Sequence, residues 1–108
     1  MKPSNIFKIG KVKSENQEIF ETLISNDNVI IERIISTGQT TPESEYYDQN
    51  YDEWVILLQG TAIISFEENK KTNLNTGDYL FIPSHKKHRV EYTSSTPACI
   101  WLAVHIKK

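Results

Sequence analysis

The strongest candidate for chemistry in this sequence is His88, which begins the alternating segment His88–Tyr92. Successive side chains of a β-strand point to opposite faces, so His88, Val90 and Tyr92 would share one face. A histidine on the apolar face of a strand is either a core residue or a side chain that faces a cavity. In the second case its neutral ring is a competent metal ligand.

The residues ahead of His88 read as a turn followed by a short strand. Gly77 and Asp78 are turn residues, because glycine adopts positive φ and aspartate hydrogen-bonds its own backbone. An apolar strand over 79–82 follows. Pro83 lacks a backbone N–H, so the strand should end there. This pattern places His88 at the start of the next strand.

The same alternation of short apolar segments and turn clusters runs through most of the chain. The predicted strands are 29–36, 53–58, 61–67, 79–82, 88–93 and 99–106, with 70–74 as a further candidate. Six or seven strands at this spacing favour a closed or double-sheet antiparallel β fold.

The N-terminal segment has a different pattern. Ser14 and Gln17 have the spacing of a helix capping box. Apolar residues then recur at helical spacing, at Ile19, Phe20, Leu23 and Ile24. We therefore predict a short amphipathic helix over 15–24. The predicted organisation is an N-terminal segment over 1–28 and a β domain over 29–108.

Composition narrows the range of functions. A chain of 108 residues suits one domain, and its net charge of −2 does not favour nucleic-acid binding. One cysteine excludes an intrachain disulfide and is consistent with a reducing compartment. No apolar run reaches the roughly 20 residues of a membrane span, and the first residues have no signal-peptide core. We expect a soluble protein of the cytoplasm.

Two of the predicted strands, 53–58 and 99–106, carry apolar residues on both faces. A strand with one face in water should alternate with polar residues, so the outer faces of these strands must be covered. The N-terminal helix could cover one area and a second subunit another, which predicts a homodimer. The alternative is that the helix and the opposite sheet suffice.

The region from about residue 31 to 106 resembles a small single-domain cupin. Glu53 and Gly60 have the spacing that ends the first cupin motif, and Gly77, Pro83 and His88 have the spacing of the second. The match is similar to a subgroup of short bacterial cupins of unassigned function. The resemblance implies a cupin-type jelly-roll barrel, also called a double-stranded β-helix. Together with the predicted helix, the expected fold class is all-β.

The resemblance also implies a metal site, although this sequence departs from the usual ligand motif. The two histidines of the first motif would fall on Tyr47 and Gln49, or on Tyr46 and Asp48 with the longer spacing. Either way Glu53 and His88 remain of the usual ligand set. Gln49 could supply a carbonyl oxygen. His105 shares a strand face with Ala103 and Trp101 and could complete the site. A carboxylate and imidazoles suit a divalent ion such as zinc, iron, nickel or manganese. The alternative for Glu53 and His88 is a hydrogen-bonded structural pair.

Three tyrosines, Tyr47, Tyr51 and Tyr92, are the predicted pocket residues, because a phenol offers an apolar body and a polar tip. The first function hypothesis is a cupin that binds or acts on a small molecule, with a metal on Glu53 and His88 as Lewis acid. The second is a non-catalytic module without metal that binds a small ligand. The third is a structural or interaction protein. The sequence does not decide between them.

Overall fold

Eight antiparallel strands are present in the computed structural model, which describes residues 1–10 and 17–107. Their bounds are β1 Ile19–Ser25, β2 Val29–Ser36, β3 Asp52–Gln59, β4 Ala62–Phe66, β5 Lys70–Leu74, β6 Tyr79–Ile82, β7 His88–Thr93 and β8 Cys99–Ile106. One turn of 3₁₀-helix, Glu67–Asn69, joins β4 to β5.

The strands form two sheets that face each other. One sheet has five strands in the order β1-β2-β8-β3-β6, and the other has three in the order β5-β4-β7. Strands that are neighbours in the sheets are mostly distant in the sequence, as in a jelly roll. The all-β, double-sheet prediction is confirmed. Of the predicted strands, 53–58 and 61–67 differ from β3 and β4 by one residue at each end, and the others match.

The core lies between the inner faces of the sheets. Its buried members come from both sheets: Val55, Leu57, Ala62, Ile64, Leu74, Ile82, Cys99, Trp101 and Ala103. Along β3 and β8, alternation puts the core residues of these two strands inside and a second set of apolar side chains outside, as the sequence pattern indicates. Within the described ranges, no helix has the length and apolarity that crossing a membrane requires.

The predicted helix over 15–24 is wrong where the structure describes it. Ile19–Ser25 is strand β1, which pairs with β2 along the sheet edge, and Ser14 to Asn16 lie outside the described residues. A shift in register between Thr22 and Ile24 changes the alternation, so the apolar residues of this strand mimic helical spacing. Without β1, one edge of β2 would leave its backbone groups unpaired. The pairing of β1 with this edge satisfies them, and this tertiary interaction outweighs the local helical pattern.

Strand β1 lies within the predicted N-terminal segment 1–28, yet it pairs with β2 and is part of the five-stranded sheet. The turn between β1 and β2 is closed by Asn26, whose side-chain oxygen accepts hydrogen bonds from the backbone N–H groups of Asn28 and Val29. The first ten residues lie against the outer face of this hairpin, where Arg33 donates hydrogen bonds to the carbonyl oxygens of Ile6 and Lys8.

Candidate ligand-binding cavity

A cavity of about 140 Å³ opens between the two sheets, and both sheets and the 47–51 segment line it. An engineered cavity of about 150 Å³ accepts benzene, so this one has room for a molecule of about six heavy atoms. Its apolar lining residues are Phe20, Ile34, Val55, Ile64, Ile82, Val90 and Trp101. Its ionisable residues are Glu18, Glu32, Tyr47, Tyr51, Glu53, His88 and His105.

The structure brings Glu53 and His88 together across the cavity. Glu53 lies on the inner face of β3 and His88 begins β7 in the other sheet. Their exposed fractions are 8% and 6%, and Nε2 of His88 is 3.9 Å from Oε1 of Glu53. This separation is too long for a hydrogen bond, so the two groups face each other without bonding directly.

The orientation of the His88 ring is fixed by its neighbours. Nδ1 lies 2.9 Å from the carbonyl oxygen of Lys86. A carbonyl oxygen only accepts, so Nδ1 carries the proton and Nε2 of the neutral ring presents a lone pair to the cavity. Tyr47 stacks on the ring with centroids 5.6 Å apart, and the two residues exchange backbone hydrogen bonds.

His105 also reaches the cavity, but it is held by a residue that sequence reasoning missed. It lies opposite Glu53 in the β3–β8 register, and its Nε2 is 2.9 Å from Oε1 of Glu32 on β2. Its Nδ1 is buried without a hydrogen-bond partner in the described chain. The sequence does contain one indication for Glu32: by alternation along its strand it shares a face with the apolar Ile34.

Glu18 is a second cavity residue that the sequence analysis did not identify. It accepts a hydrogen bond from Oγ of Ser36, which in turn accepts one from Nε1 of Trp101 at 3.1 Å. Burial raises the pKa of the Glu18 carboxyl, and the Ser36 hydrogen bond partly opposes this. Glu18 precedes β1 in a segment predicted to be helical, so no strand pattern indicated that it faces inward.

Of the predicted pocket residues, Tyr47 and Tyr51 line the cavity and Tyr92 does not. Gln49, predicted as a metal ligand, also lines it. Tyr92 is 48% exposed and pairs with Ile63, whereas Val90 pairs with Ile64. The extra residue between them, at position 91, is a β-bulge that reverses the face of everything after it. The prediction that Tyr92 shares a face with His88 was therefore wrong.

Burial raises the pKa of the Glu53 carboxyl, and the nearby Glu32 carboxylate adds to the rise. Positive charge on His105 or His88 lowers this pKa. Each of these two effects is smaller than that of burial and larger than that of Glu32. Folding therefore favours the protonated acid, and its contribution to stability is lost as the pH rises from the ordinary glutamate pKa of about 4.3 through the raised value.

We expect Glu53→Gln to gain stability relative to the wild type as the pH rises, because the amide cannot ionise. The measurement is the melting temperature of both proteins from pH 4 to pH 8. Glu91→Gln is the control with opposite sign, since hydrogen bonds from Ser65 and Lys71 lower the pKa of Glu91. A gap between Glu53→Gln and wild type that stays constant or narrows with pH would contradict this assignment.

The predicted metal ligands fit an ion only in part. A protein metal site needs about three converging donors, and Oε1 of Glu53 and Nε2 of His88 supply two. Nε2 of His105 is committed to Glu32. Among the described residues, no three His, Cys, Asp or Glu side chains form a group that could hold a metal. Glu53, His88 and His105 therefore do not form such a group, and Gln49 lies on the wall of the same cavity.

A double-sheet jelly roll with an internal cavity defines a class of β-barrel binding proteins and enzymes, and comparison with known families specifies it. The sequence profile of the family described as "Cupin domain" matches residues 32–105. That is more than half of the chain, and the chain belongs to the cupin family. No curated protein matches the chain in sequence.

Three solved structures illustrate the likeness. A candidate mannose-6-phosphate isomerase from Ralstonia eutropha JMP134 is 38% identical, with a TM-score of 0.91 and full coverage of both chains. A cupin superfamily protein from Desulfitobacterium hafniense DCB-2 is 24% identical (TM-score 0.75, covering 91% of this chain and 84% of that one). The polyketide cyclase RemF from Streptomyces resistomycificus is 16% identical (TM-score 0.74, covering 100% and 80%). The last two show the shared fold.

Proposed function

We propose that this cupin binds a small molecule in the cavity between its sheets and that Glu53 and His88 exchange a proton with it. The observation that carries the proposal is the placement of both groups: buried, 3.9 Å apart, and on facing walls of one cavity. A carboxyl group with a raised pKa and an imidazole with a free lone pair are a suitable acid and base near neutral pH. Buried ionisable groups beside a cavity are frequent at functional sites.

The likeness to a candidate mannose-6-phosphate isomerase raises the question of a sugar phosphate. A phosphate needs cationic partners, and the described lining contains no lysine or arginine but three carboxylates. The basic residues Lys86 and Lys87 lie in the loop before His88 and do not line the cavity. We therefore propose isomerase-like or binding chemistry on an unphosphorylated small molecule.

A metal-bound form is a second candidate, and one observation favours it. The hydrogen bond from Nδ1 of His88 to the Lys86 carbonyl is the arrangement by which proteins orient a ligating imidazole. In that form Glu53 and His88 would hold a divalent ion (zinc, iron, nickel or manganese), with Gln49 at the cavity wall. The ion would supply Lewis acidity.

One experiment separates these candidates. Untagged protein is analysed for bound metal by mass spectrometry and then screened, with and without EDTA, against a library of small metabolites by thermal shift. We expect ligand-dependent shifts that survive EDTA in wild type and are lost in Glu53→Gln and His88→Ala. Tyr92→Ala, outside the cavity, should behave as wild type.

The outcomes have distinct meanings. Stoichiometric metal that is lost in both site variants would favour the metal-bound form. If no compound shifts the melting temperature with or without metal, the small-molecule proposal fails, and a structural role becomes the better account. A shift that persists in both site variants would show that the ligand binds elsewhere.

We further propose that the chain forms a homodimer through the outer face of the five-stranded sheet. Along β3, β6 and β8 this face carries apolar side chains, including the exposed Tyr79, Phe81 and Ile106 at 63%, 56% and 43%. Between Trp54 and Leu58 it carries no charge, so a second copy can meet it without burying an unpaired ion. Strand β6 is also a sheet edge in this chain.

Light scattering tests the dimer, with an expected mass twice the 12.5 kDa of one chain. Phe81→Lys should shift the mass to that of one chain, because the dimer would bury the new charge. Tyr92→Lys, on an exposed site of the other sheet, is the matched control. A monomeric wild type at micromolar concentration would contradict the proposal.

A further inference from the structure

The polar wall of the cavity presents hydrogen-bond acceptors. Nε2 of His88 faces Oε1 of Glu53 at 3.9 Å, and the proton of the His88 ring is engaged at Nδ1 by the Lys86 carbonyl. When Glu53 is ionised, its carboxylate and the ring lone pair of His88 cannot bond each other. A ligand that places N–H groups between them would satisfy both.

His105 holds a second carboxylate at the cavity wall. Its Nε2–H donates to the Glu32 carboxylate at 2.9 Å. Nδ1 of the same ring has no partner among the described residues and almost no accessible surface, so a ligand in the cavity does not contact it.

The charges around the cavity also favour a cation. Among the residues that the structure describes, three carboxylates line it (Glu18, Glu32 and Glu53), with two histidines and no lysine or arginine. Each ionised carboxylate attracts a cationic ligand and repels an anionic one.

Aromatic rings supply much of the remaining surface: Phe20, Tyr47, Tyr51 and Trp101. Their faces attract cations, and a combination of aromatic rings and carboxylates suits an organic ammonium group. The donor atoms do not converge in the threefold arrangement that a metal ion needs. Nε2 of His88 and Oε1 of Glu53, 3.9 Å apart, are close enough for one ammonium nitrogen to donate to both.

We propose that the cavity binds a small organic ammonium ion, a primary amine in its protonated form. Its N–H groups donate to Nε2 of His88 and to a carboxylate oxygen of Glu53, which lie 3.9 Å apart, and its alkyl part lies against the apolar lining. This inference rests on the proposed function, because it names the ligand class of the same cavity.

The test compares three probes of one size and different charge: n-butylammonium, 1-butanol and butyrate, all in EDTA at pH 7.5. The chain has two tryptophans, and only Trp101 lines the cavity, whereas Trp54 lies on the outer face beside Tyr79. The two indole N–H signals in a ¹⁵N NMR spectrum therefore report on the cavity and on a built-in control site.

We expect n-butylammonium to move the Trp101 signal in a saturable way and leave the Trp54 signal in place. Its affinity should exceed that of 1-butanol by about tenfold or more, since hydrogen bonds to charged groups are stronger than neutral ones. Butyrate should not bind. Glu53→Gln and Glu18→Gln should each reduce the preference for the amine over the alcohol.

Other outcomes would overturn the inference. Equal binding of amine and alcohol, or tighter binding of butyrate, would show a small-molecule cavity without cation preference, and the proposed function would stand. Failure of all three probes to move the Trp101 signal would exclude a small alkylammonium ligand, and the metabolite screen would then decide the broader proposal. An amine preference unchanged in both variants would show that neither carboxylate confers it.

Discussion

Replacing Gly60 by alanine is expected to lower the free energy of unfolding by about 3–4 kcal/mol. Gly60 has φ of +96°, a region that side chains disfavour, and joins β3 to β4. A Cβ there would lie 2.7 Å from Oγ of Ser94, 2.9 Å from Sγ of Cys99 and 3.1 Å from Cα of Cys99. Backbone strain and steric overlap therefore add together at this position.

Gly77→Ala is the matched control for this prediction. Its φ is +94°, but a Cβ at Gly77 would meet nothing within 4 Å, so only the backbone strain remains, about 1–2 kcal/mol. Chemical denaturation of both variants measures the difference. The loss from Gly60→Ala should also shrink in a Ser94→Ala, Cys99→Ala background, which removes two of the three close atoms. Equal losses for the two glycine variants would show that steric overlap is not the cause.

Removal of the Arg33 side chain is expected to cost about 2 kcal/mol and to release the first ten residues from the sheet. The guanidinium donates two hydrogen bonds to Glu21 at 2.8 and 2.9 Å and two more to the carbonyl oxygens of Ile6 and Lys8. The Arg33 side chain is 12% exposed and that of Glu21 is 40% exposed. Solvent at Glu21 weakens the ion pair, so the expected cost is below that of a fully buried one.

Two controls divide the contributions of Arg33. Glu21→Gln removes the ion pair but leaves the contacts with the N-terminal carbonyls, and should cost less than 1 kcal/mol. Arg33→Lys keeps the charge without the planar fork, and should fall between wild type and Arg33→Ala. The measurements are denaturation midpoints and the rate of proteolysis within residues 1–10. Unchanged proteolysis in Arg33→Ala would contradict the anchoring role.

Arg33 also shows where sequence reasoning ends. By alternation along its strand, Arg33 shares a face with Val29, Ile31 and Ile35. That pattern alone is compatible with a side chain that reaches solvent or with a buried cation that needs a carboxylate. The structure supplies the carboxylate, Glu21, from the neighbouring strand β1. That pairing depends on β1 being a strand, and the helical spacing of its apolar residues predicted otherwise.

The cavity illustrates the same division. Motif spacing in the sequence selected Glu53 and His88, and the structure places these two side chains 3.9 Å apart. The sequence did not identify Glu32 or Glu18, because both lie in segments that no motif covers. It also placed Tyr92 in the pocket, since alternation along a strand cannot reveal a bulge at position 91.

The sequence by itself determined strands β2 to β8, since each is encoded by residues that are neighbours in the chain and by turn residues such as Gly77 and Pro83. Motif spacing further determined that the chain would adopt a cupin barrel with Glu53 and His88 inside. Tertiary structure alone decided that β1 is a strand, that His105 is bound by Glu32, and that three carboxylates share one cavity. These features depend on the register and pairing of strands distant in sequence, whose energies arise only when the sheets assemble.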